Sequence, residues 1–170
     1  MQKIEPPGPP DIHYLNAAIG WLELGRRDDA LVELQNISAE NQRHPDVLET
    51  RWAIYAEEKD WDDALDAARK LLRFAPQRVS GWLHQAYALR RATEGGLEKA
   101  RDALLPAAEK FPKDPIVHFN LACYACQLGQ LDEARDWLRR ALKAGDKEKI
   151  KLMALVDEDL APLWPEIRKF

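Results

Sequence analysis

The chain has 170 residues, of which 46% are hydrophobic and 32% charged, a composition typical of one soluble helical domain. Its net charge of −4 lacks the basic excess expected of a nucleic-acid-binding protein. No apolar run approaches the roughly 18 residues of a membrane helix, no secretory signal is visible, and two cysteines make no disulfide framework. We therefore expect a cytoplasmic protein with no nucleic-acid or membrane partner.

Residues 1–10 are predicted to form a proline-rich leader. Their run PPGPP cannot form a helix and favours an extended conformation. Three interpretations stay open: a disordered leader, a ligand for a proline-binding domain, and a strap along the protein surface.

Two pairs of amphipathic helices are predicted next, in residues 11–44 and 45–78. In the first pair, Asp11 is the expected N-cap, Gly25 ends the first helix, and a second helix covers about residues 28–39. In the second pair, Pro45 opens the first helix and the second helix covers about residues 60–74.

A third pair is predicted in residues 79–114 and a fourth in residues 115–146. The first helix of the third pair is expected to continue through Arg90 and Arg91, and Asp114 is the expected N-cap of the fourth pair. Residues 147–170 are predicted to form a C-terminal capping segment. Its helix could pack through Ile150, Met153 and Ala154, or through Leu152, Leu155 and Val156. Alternatively, this segment folds back into a binding groove or docks into a second chain.

Two classes of position recur through all four pairs at a nearly constant interval. The second helices contain alanines at intervals of 34, 36 and 34 residues, namely Ala30, Ala64, Ala100 and Ala134. The turns repeat the same intervals, at Gly25, Lys59, Gly95 and Gly129. The small alanines are expected to let the two helices of a pair approach closely. A period of about 34 residues with two helices per unit is characteristic of tetratricopeptide repeats.

The second-helix sequences DDALVEL, DDALDAA, EKARDAL and DEARDWL resemble the core of a tetratricopeptide repeat. The resemblance covers about residues 11–146 and departs from the family pattern at four positions: Gln42, Lys59, His118 and Asp146. It implies an all-α fold, a right-handed α-solenoid of four helix-turn-helix repeats with a C-terminal capping helix. We expect a non-catalytic module for protein–protein interaction.

By the same resemblance, the first helices line a concave groove that binds a peptide or protein segment. The candidate groove residues are Leu15, Ile19, Leu22, Glu49, Ala53, Leu83, Tyr87, Arg90, Arg91, Phe119 and Cys123. Leu83, Tyr87 and Phe119 are expected to form an exposed apolar patch, and Arg90 or Arg91 to pair with a carboxylate of the peptide. Alternatively, the C-terminal segment covers part of the patch and both arginines are solvated.

The carboxylate clamp of tetratricopeptide co-chaperones is not reproduced in this sequence. Such a clamp needs lysine, asparagine and arginine at five first-helix positions. The two registers place there Leu15, Ile19, Thr50, Ser80 and His84, or Glu49, Ala53, His84, Ile116 and Asn120. Neither register supplies the cationic donors, which argues against the acidic tail of a heat-shock chaperone as the partner.

Cys123 and Cys126 form a C-x-x-C motif in the middle of a predicted helix. A redox motif normally opens a helix after a strand, and a structural zinc site needs four nitrogen or sulfur ligands. We therefore expect packing cysteines, with neither metal nor cofactor. Two alternative functions stay open: a small chaperone for secreted or apolar substrates, and a thiol redox protein using this pair. Homo-oligomer formation stays open as well.

Overall fold

The computed structural model describes residues 5–169, so residues 1–4 of the predicted leader and residue 170 of the predicted capping segment lie outside it. The described residues form ten α-helices and two 3₁₀-helices, and none of them lies in a β-strand. This confirms the predicted all-α class. The chain divides into two compact units, the first ending at His84 and the second beginning at Gln85. The boundary between them falls inside α5 (Val79–Leu89).

The first unit contains four complete helices and the beginning of α5. These helices are α1 (Asp11–Glu23), α2 (Arg27–Asn36), α3 (Pro45–Glu58) and α4 (Trp61–Phe74), with a 3₁₀-helix at Asn41–Arg43. Helix α1 packs on α2, α3 packs on α4, and α3 also contacts α1 and α2. Ala30 and Ala64 are fully buried, as expected of residues that permit close packing within each pair.

The start of α1 differs from the prediction that Asp11 is its N-cap. Pro10 occupies the cap position, and Asp11 is the first helical residue. The Asp11 carboxylate instead accepts hydrogen bonds from the backbone N–H and hydroxyl of Ser38 and from the Asn41 side chain. The hydroxyl bond of Ser38 contributes most to lowering the pKa of Asp11. The carboxylate therefore holds the end of the first repeat rather than capping a helix.

Three of the four turns between paired helices have a left-handed backbone residue at the same repeat position. Gly25 and Gly129 adopt φ of 71° and 75°, and Lys59 adopts φ of 61° at the same repeat position. Glycine has no Cβ to oppose this conformation, whereas lysine does. The departure from the family pattern at Lys59 therefore keeps the turn geometry at an energetic cost.

The second unit contains the rest of α5 and five further helices. These are α6 (Leu97–Lys110), α7 (Pro115–Gln127), α8 (Leu131–Ala144), α9 (Lys147–Val156) and α10 (Trp164–Ile167), with a 3₁₀-helix at Glu158–Leu163. Helix α7 contacts α6, α8 and this 3₁₀-helix, so most of its residues are buried. Asp114 caps α7 by accepting from the N–H groups of Ile116 and Val117, at 2.9 and 3.1 Å, as predicted.

Helix α5 ends at Leu89, before the predicted continuation through Arg90 and Arg91. The Gly96 N–H donates to the Leu89 carbonyl at 2.9 Å and closes the chain over the helix end. A Cβ on Gly95 would lie 1.8 Å from the same carbonyl oxygen. Close approach of backbone to backbone therefore requires glycine at position 95 and turns the chain there.

The C-terminal segment, defined here as residues 147–169, folds onto the fourth repeat. Ile150 and Ala154 of α9 are buried, whereas Leu152 and Val156 are 65% and 79% exposed, so the first of the two predicted faces packs inward. Leu160, Leu163 and Ile167 are buried in the same apolar core. Between residues 5 and 169, no helix combines the length and hydropathy that crossing a bilayer requires.

Candidate functional site

The predicted groove residues of the first unit lie on α1 and α3, which contact each other. Ile19 is 39% exposed, and Leu22 and Ala53 are half-buried. Leu15 is buried with Ala18 in the core, so the prediction that it lines an open wall is wrong. One side of α1 faces α2, and Leu15 lies on that side together with Ala18, three residues along the helix.

Glu49 of α3 is bound by residues of its own unit. Its carboxylate accepts hydrogen bonds from the Ser80 hydroxyl and from Arg78 Nη1, the latter at 3.2 Å. Arg78 Nη1 also lies 2.5 Å from the Asp46 carboxylate. These contacts join α3 to the beginning of α5, and they occupy the one acidic side chain predicted for the groove.

The predicted apolar patch on α5 and α7 is not formed as an exposed surface. Leu83 is half-buried, Tyr87 is 40% exposed, and Phe119 is buried in the core of the second unit. The Arg91 guanidinium lies over the Tyr87 ring, 3.7 Å from its centroid, and Nη1 donates to the Tyr87 carbonyl at 3.0 Å. Tyr87 therefore presents an aromatic side chain beside a cation.

Arg90 pairs with a carboxylate, as predicted for a bound peptide, but the carboxylate belongs to the chain itself. Its Nη1 and Nη2 donate to the two oxygens of Asp159, the Nη2 bond being 2.9 Å long. This bidentate pairing raises the pKa of Arg90. The C-terminal segment packs on Phe119, which is one part of the predicted patch, as the alternative interpretation states. Arg90 is paired with Asp159, so the same interpretation is wrong in expecting it to be solvated.

The first-helix face of the fourth repeat is covered by the C-terminal segment. Phe119 and Cys123 of α7 lie in one apolar cluster with Leu160, Leu163 and Ile167. The two α7 side chains are therefore core residues, and their assignment to an open groove is wrong. Asp157 and Asp159 are absent from the predicted site residues, although they form hydrogen bonds with Cys123 and Arg90. The sequence feature that points to them is the acidic run at residues 157–159, directly before the leucines at 160 and 163.

The thiols of Cys123 and Cys126 are buried, and their pKa values are raised. Burial, aided by the nearby carboxylates of Asp157 and Asp159, raises the pKa of Cys123, and burial raises the pKa of Cys126. Both groups are free thiols, and Cys123 Sγ donates to Asp157 Oδ2 over 3.7 Å. Because the thiolate is the nucleophile, protonated thiols argue against the redox alternative.

One group of side chains could contact a metal ion. Donor atoms of Cys123, Asp157 and Asp159 lie within 4.8 Å of one another. Both oxygens of Asp159 already accept from Arg90, and Asp157 caps the 3₁₀-helix by accepting from the Asp159 N–H. A cation here would compete with the guanidinium, so the arrangement fits an ion pair better than a metal site.

Residues 85–149 match the family model described as tetratricopeptide repeat. These residues, from the second half of α5 to the start of α9, therefore contain tetratricopeptide repeats. Searching the curated proteins gives no match for this chain.

Three solved structures share the fold of this chain at less than 25% sequence identity. TTC0263, a thermophilic TPR protein of Thermus thermophilus, is 23% identical with a TM-score of 0.69, over 92% of this chain and 82% of that one. MamA 41-end from Desulfovibrio magneticus RS-1 is 18% identical with a TM-score of 0.70, over 95% of each chain. MamA of AMB-1 is 20% identical with a TM-score of 0.64, over 94% of this chain and 91% of that one.

Proposed function

We propose that this protein is a non-catalytic interaction module whose α1–α3 face binds a peptide or protein segment. The α1–α3 face is defined by Ile19, Leu22 and Ala53 in the first unit. The repeat architecture supports the general role, because tetratricopeptide repeats are helical scaffolds with extended binding surfaces.

The observation that carries the proposal is the way α7 holds the chain's own C-terminal segment. One first-helix position recurs in all four repeats, at Ile19, Ala53, Tyr87 and Cys123. At Cys123 it is covered by an apolar segment with Leu160 and Leu163, and the Asp159 carboxylate of that segment is bound by Arg90. The second unit therefore contains an example of a short segment bound on a first-helix face.

The corresponding side chain of the first repeat is more exposed than that of the fourth. Ile19 is 39% exposed, whereas Cys123 is buried. A partner that covers an exposed apolar side chain is bound more tightly, because burial stabilises the complex by about 25 cal/mol for each Å² of apolar surface removed from water. A partner segment with apolar side chains fits this face, and half-buried Leu22 and Ala53 extend it.

A photo-crosslinking experiment tests the face directly. Benzoylphenylalanine replaces Ile19 in one variant and Val32 in another; Val32 lies on α2 and is 55% exposed. After irradiation in cells, we expect a defined crosslinked polypeptide with the first variant and not with the second. Equal crosslinking at both positions, or none at position 19, would contradict the proposal.

The same experiment separates the module from the chaperone alternative. A dedicated interaction module gives one or a few crosslinked species, and a glutamate at Ala53 should reduce their yield. A chaperone for apolar substrates gives many unrelated species whose yield follows their hydrophobicity. Burial raises the pKa of both thiols, which disfavours the redox alternative.

A further inference from the structure

Each unit contains a surface cleft whose lining includes none of the residues that define the α1–α3 face. The cleft of the first unit has a volume of about 360 Å³ and is lined by Gln42, Arg43, Leu48, Arg51, Lys70, Arg73 and Phe74. The cleft of the second unit has a volume of about 490 Å³ and is lined by Ala108, Pro112, Lys113, His118, Arg140, Lys143 and Ala144. Both linings are rich in cations.

The two clefts occupy the same place in the repeat. Ala64 and Ala134 are equivalent residues of the second and fourth repeats and lie 70 positions apart. The same interval joins three pairs of lining cations: Arg43 and Lys113, Lys70 and Arg140, and Arg73 and Lys143. We name them the basic triads. Each triad takes one cation from the segment before a first helix and two from the end of a second helix.

The basic triad is not a requirement of the repeat fold. The equivalent residues of the first repeat are Pro9, Asn36 and Ala39, and those of the third are Gln77, Pro106 and Glu109. These two repeats form their paired helices without any cation at the three positions. A cation near a helix C-terminus is favoured by the helix dipole, which accounts for Arg73 and Lys143. Arg43 and Lys113 lie outside those helices, so the dipole does not account for their convergence.

Most cations of the two triads lack an acidic partner among residues 5–169. Lys70 pairs with Asp66 at 2.5 Å, whereas Arg43 and Arg73 form no ion pair in the described part of the chain. Their guanidinium carbons lie 5.6 and 5.7 Å from the centroid of the Phe74 ring. The first cleft therefore presents cations beside an aromatic ring and no neutralising carboxylate in its lining.

The second cleft has the same character. Lys113, Arg140 and Lys143 form no ion pair within the described residues, and the Arg140 guanidinium lies 4.5 Å from the Trp137 ring centroid. The Trp137 ring in turn stacks on His118 at 5.7 Å. Packing against an aromatic ring fixes Arg140 near the cleft, and the guanidinium keeps its donors available for a carboxylate.

We propose that the two basic triads are docking sites for acidic peptide segments, one segment in each unit. Clustered arginine and lysine side chains match carboxylates in charge and donor geometry. Each basic triad offers only three cations, whereas a nucleic acid is bound by a basic patch or stripe that follows its phosphate backbone. This inference does not rest on the α1–α3 face, and its test uses different residues.

The test measures binding of a fluorescein-labelled poly-glutamate peptide by fluorescence anisotropy at low ionic strength. Two variants each remove two cations, Arg43→Gln with Arg73→Gln, and Lys113→Gln with Lys143→Gln. Lys147→Gln with Lys149→Gln is the matched control, because it makes the same charge change at exposed positions of α9. We expect each triad variant to raise the Kd of its own cleft roughly two- to thirty-fold, from the ordinary strength of two exposed ion pairs.

Three results would overturn the docking sites: no binding by the wild type, an equal loss in the control variant, or tighter binding of a single-stranded oligonucleotide of equal charge. An NMR titration of the wild-type protein tests the two sites without depending on whether the variants fold. In NMR titrations, the peptide should shift amide signals of residues 42–43, 70–74, 113 and 140–144. Shifts confined to the α1–α3 face would also contradict the assignment.

Discussion

Arg90 donates to both carboxylate oxygens of Asp159 and ties the C-terminal segment to the end of α5. Replacing Asp159 by Asn removes the charge from this pair, so local opening of the segment should become easier by about 1.5–3 kcal/mol. Because the segment covers Cys123, the labelling of this thiol by a thiol reagent should be about ten- to a hundredfold faster. Glu158→Gln, a matched change at the exposed neighbouring residue, should leave the rate unchanged. Unaltered labelling in Asp159→Asn would show that the ion pair does not hold the segment.

His84 should make the first unit sensitive to mild acid. Its ring stacks on Trp52 at 3.7 Å, and burial lowers the pKa of His84 from 6.5 to about 4. The unfolded chain binds a proton near pH 6.5, whereas the folded chain binds it only near pH 4, so stability from this group is complete above pH 6.5 and declines as the pH falls to 4. Over that interval the decline should be about 3 kcal/mol.

Urea unfolding across the same pH interval measures this contribution. His84→Phe keeps an aromatic ring against Trp52 and removes the titrating group, so its stability should fall less than that of the wild type. His13→Phe changes an exposed residue and serves as the control. If wild type and His84→Phe lose stability in parallel, the buried imidazole does not control the acid sensitivity.

Exchanging the turn residues of two repeats should have opposite effects. Lys59 and Gly129 occupy equivalent left-handed positions, with φ of 61° and 75°. Lys59→Gly should raise the free energy of unfolding by about 0.5–1 kcal/mol, because relief of the left-handed strain exceeds the extra entropy of glycine in the unfolded chain. Gly129→Lys should lower the free energy of unfolding by a similar amount. A Cβ at position 129 would have no atom within 4 Å beyond its chain neighbours, so steric overlap does not complicate the change. Thermal and urea unfolding measure both, and changes of the same sign would refute the conformational explanation.

Leucines of the C-terminal segment should differ sharply in their response to truncation. Leu160 is fully buried, whereas Leu152 is 65% exposed. Leu160→Ala should cost about 2–5 kcal/mol through the cavity it leaves, and Leu152→Ala less than about 0.5 kcal/mol. Comparison of urea midpoints distinguishes these values. Similar costs would mean that the segment does not pack on α7 in solution.

Much of the helical framework could be predicted because it depends on local rules. The recurring alanines, the turn glycines and the Asp114 cap each act within one helix pair, and the structure places them as expected. The prediction that Asp11 caps α1 was wrong, because its carboxylate is bound by Ser38 and Asn41, which lie far along the sequence. Local propensity contains no information about such distant partners.

The candidate groove was harder to predict because an apolar first-helix face looks the same whether it is open or covered. Cys123 and Ile19 occupy equivalent positions, yet the first is buried and the second is 39% exposed. The difference comes from the C-terminal segment, whose contacts with α7 join residues far apart in sequence, as in the separation of 34 between Cys123 and Asp157. Arg90 or Arg91 was expected to pair with a carboxylate of a bound peptide, whereas Arg90 pairs with Asp159 of its own chain, a partner that the repeat pattern does not contain.

The inert thiols of α7 make the natural sequence a suitable background for spectroscopic labels. Since burial keeps Cys123 and Cys126 protonated by raising the pKa of each thiol, a cysteine introduced at an exposed position would react first in the folded protein. Gln35→Cys and Glu148→Cys would provide one attachment point in each unit. Paired spin labels there would report the distance between the units in solution while the native cysteines remain in place.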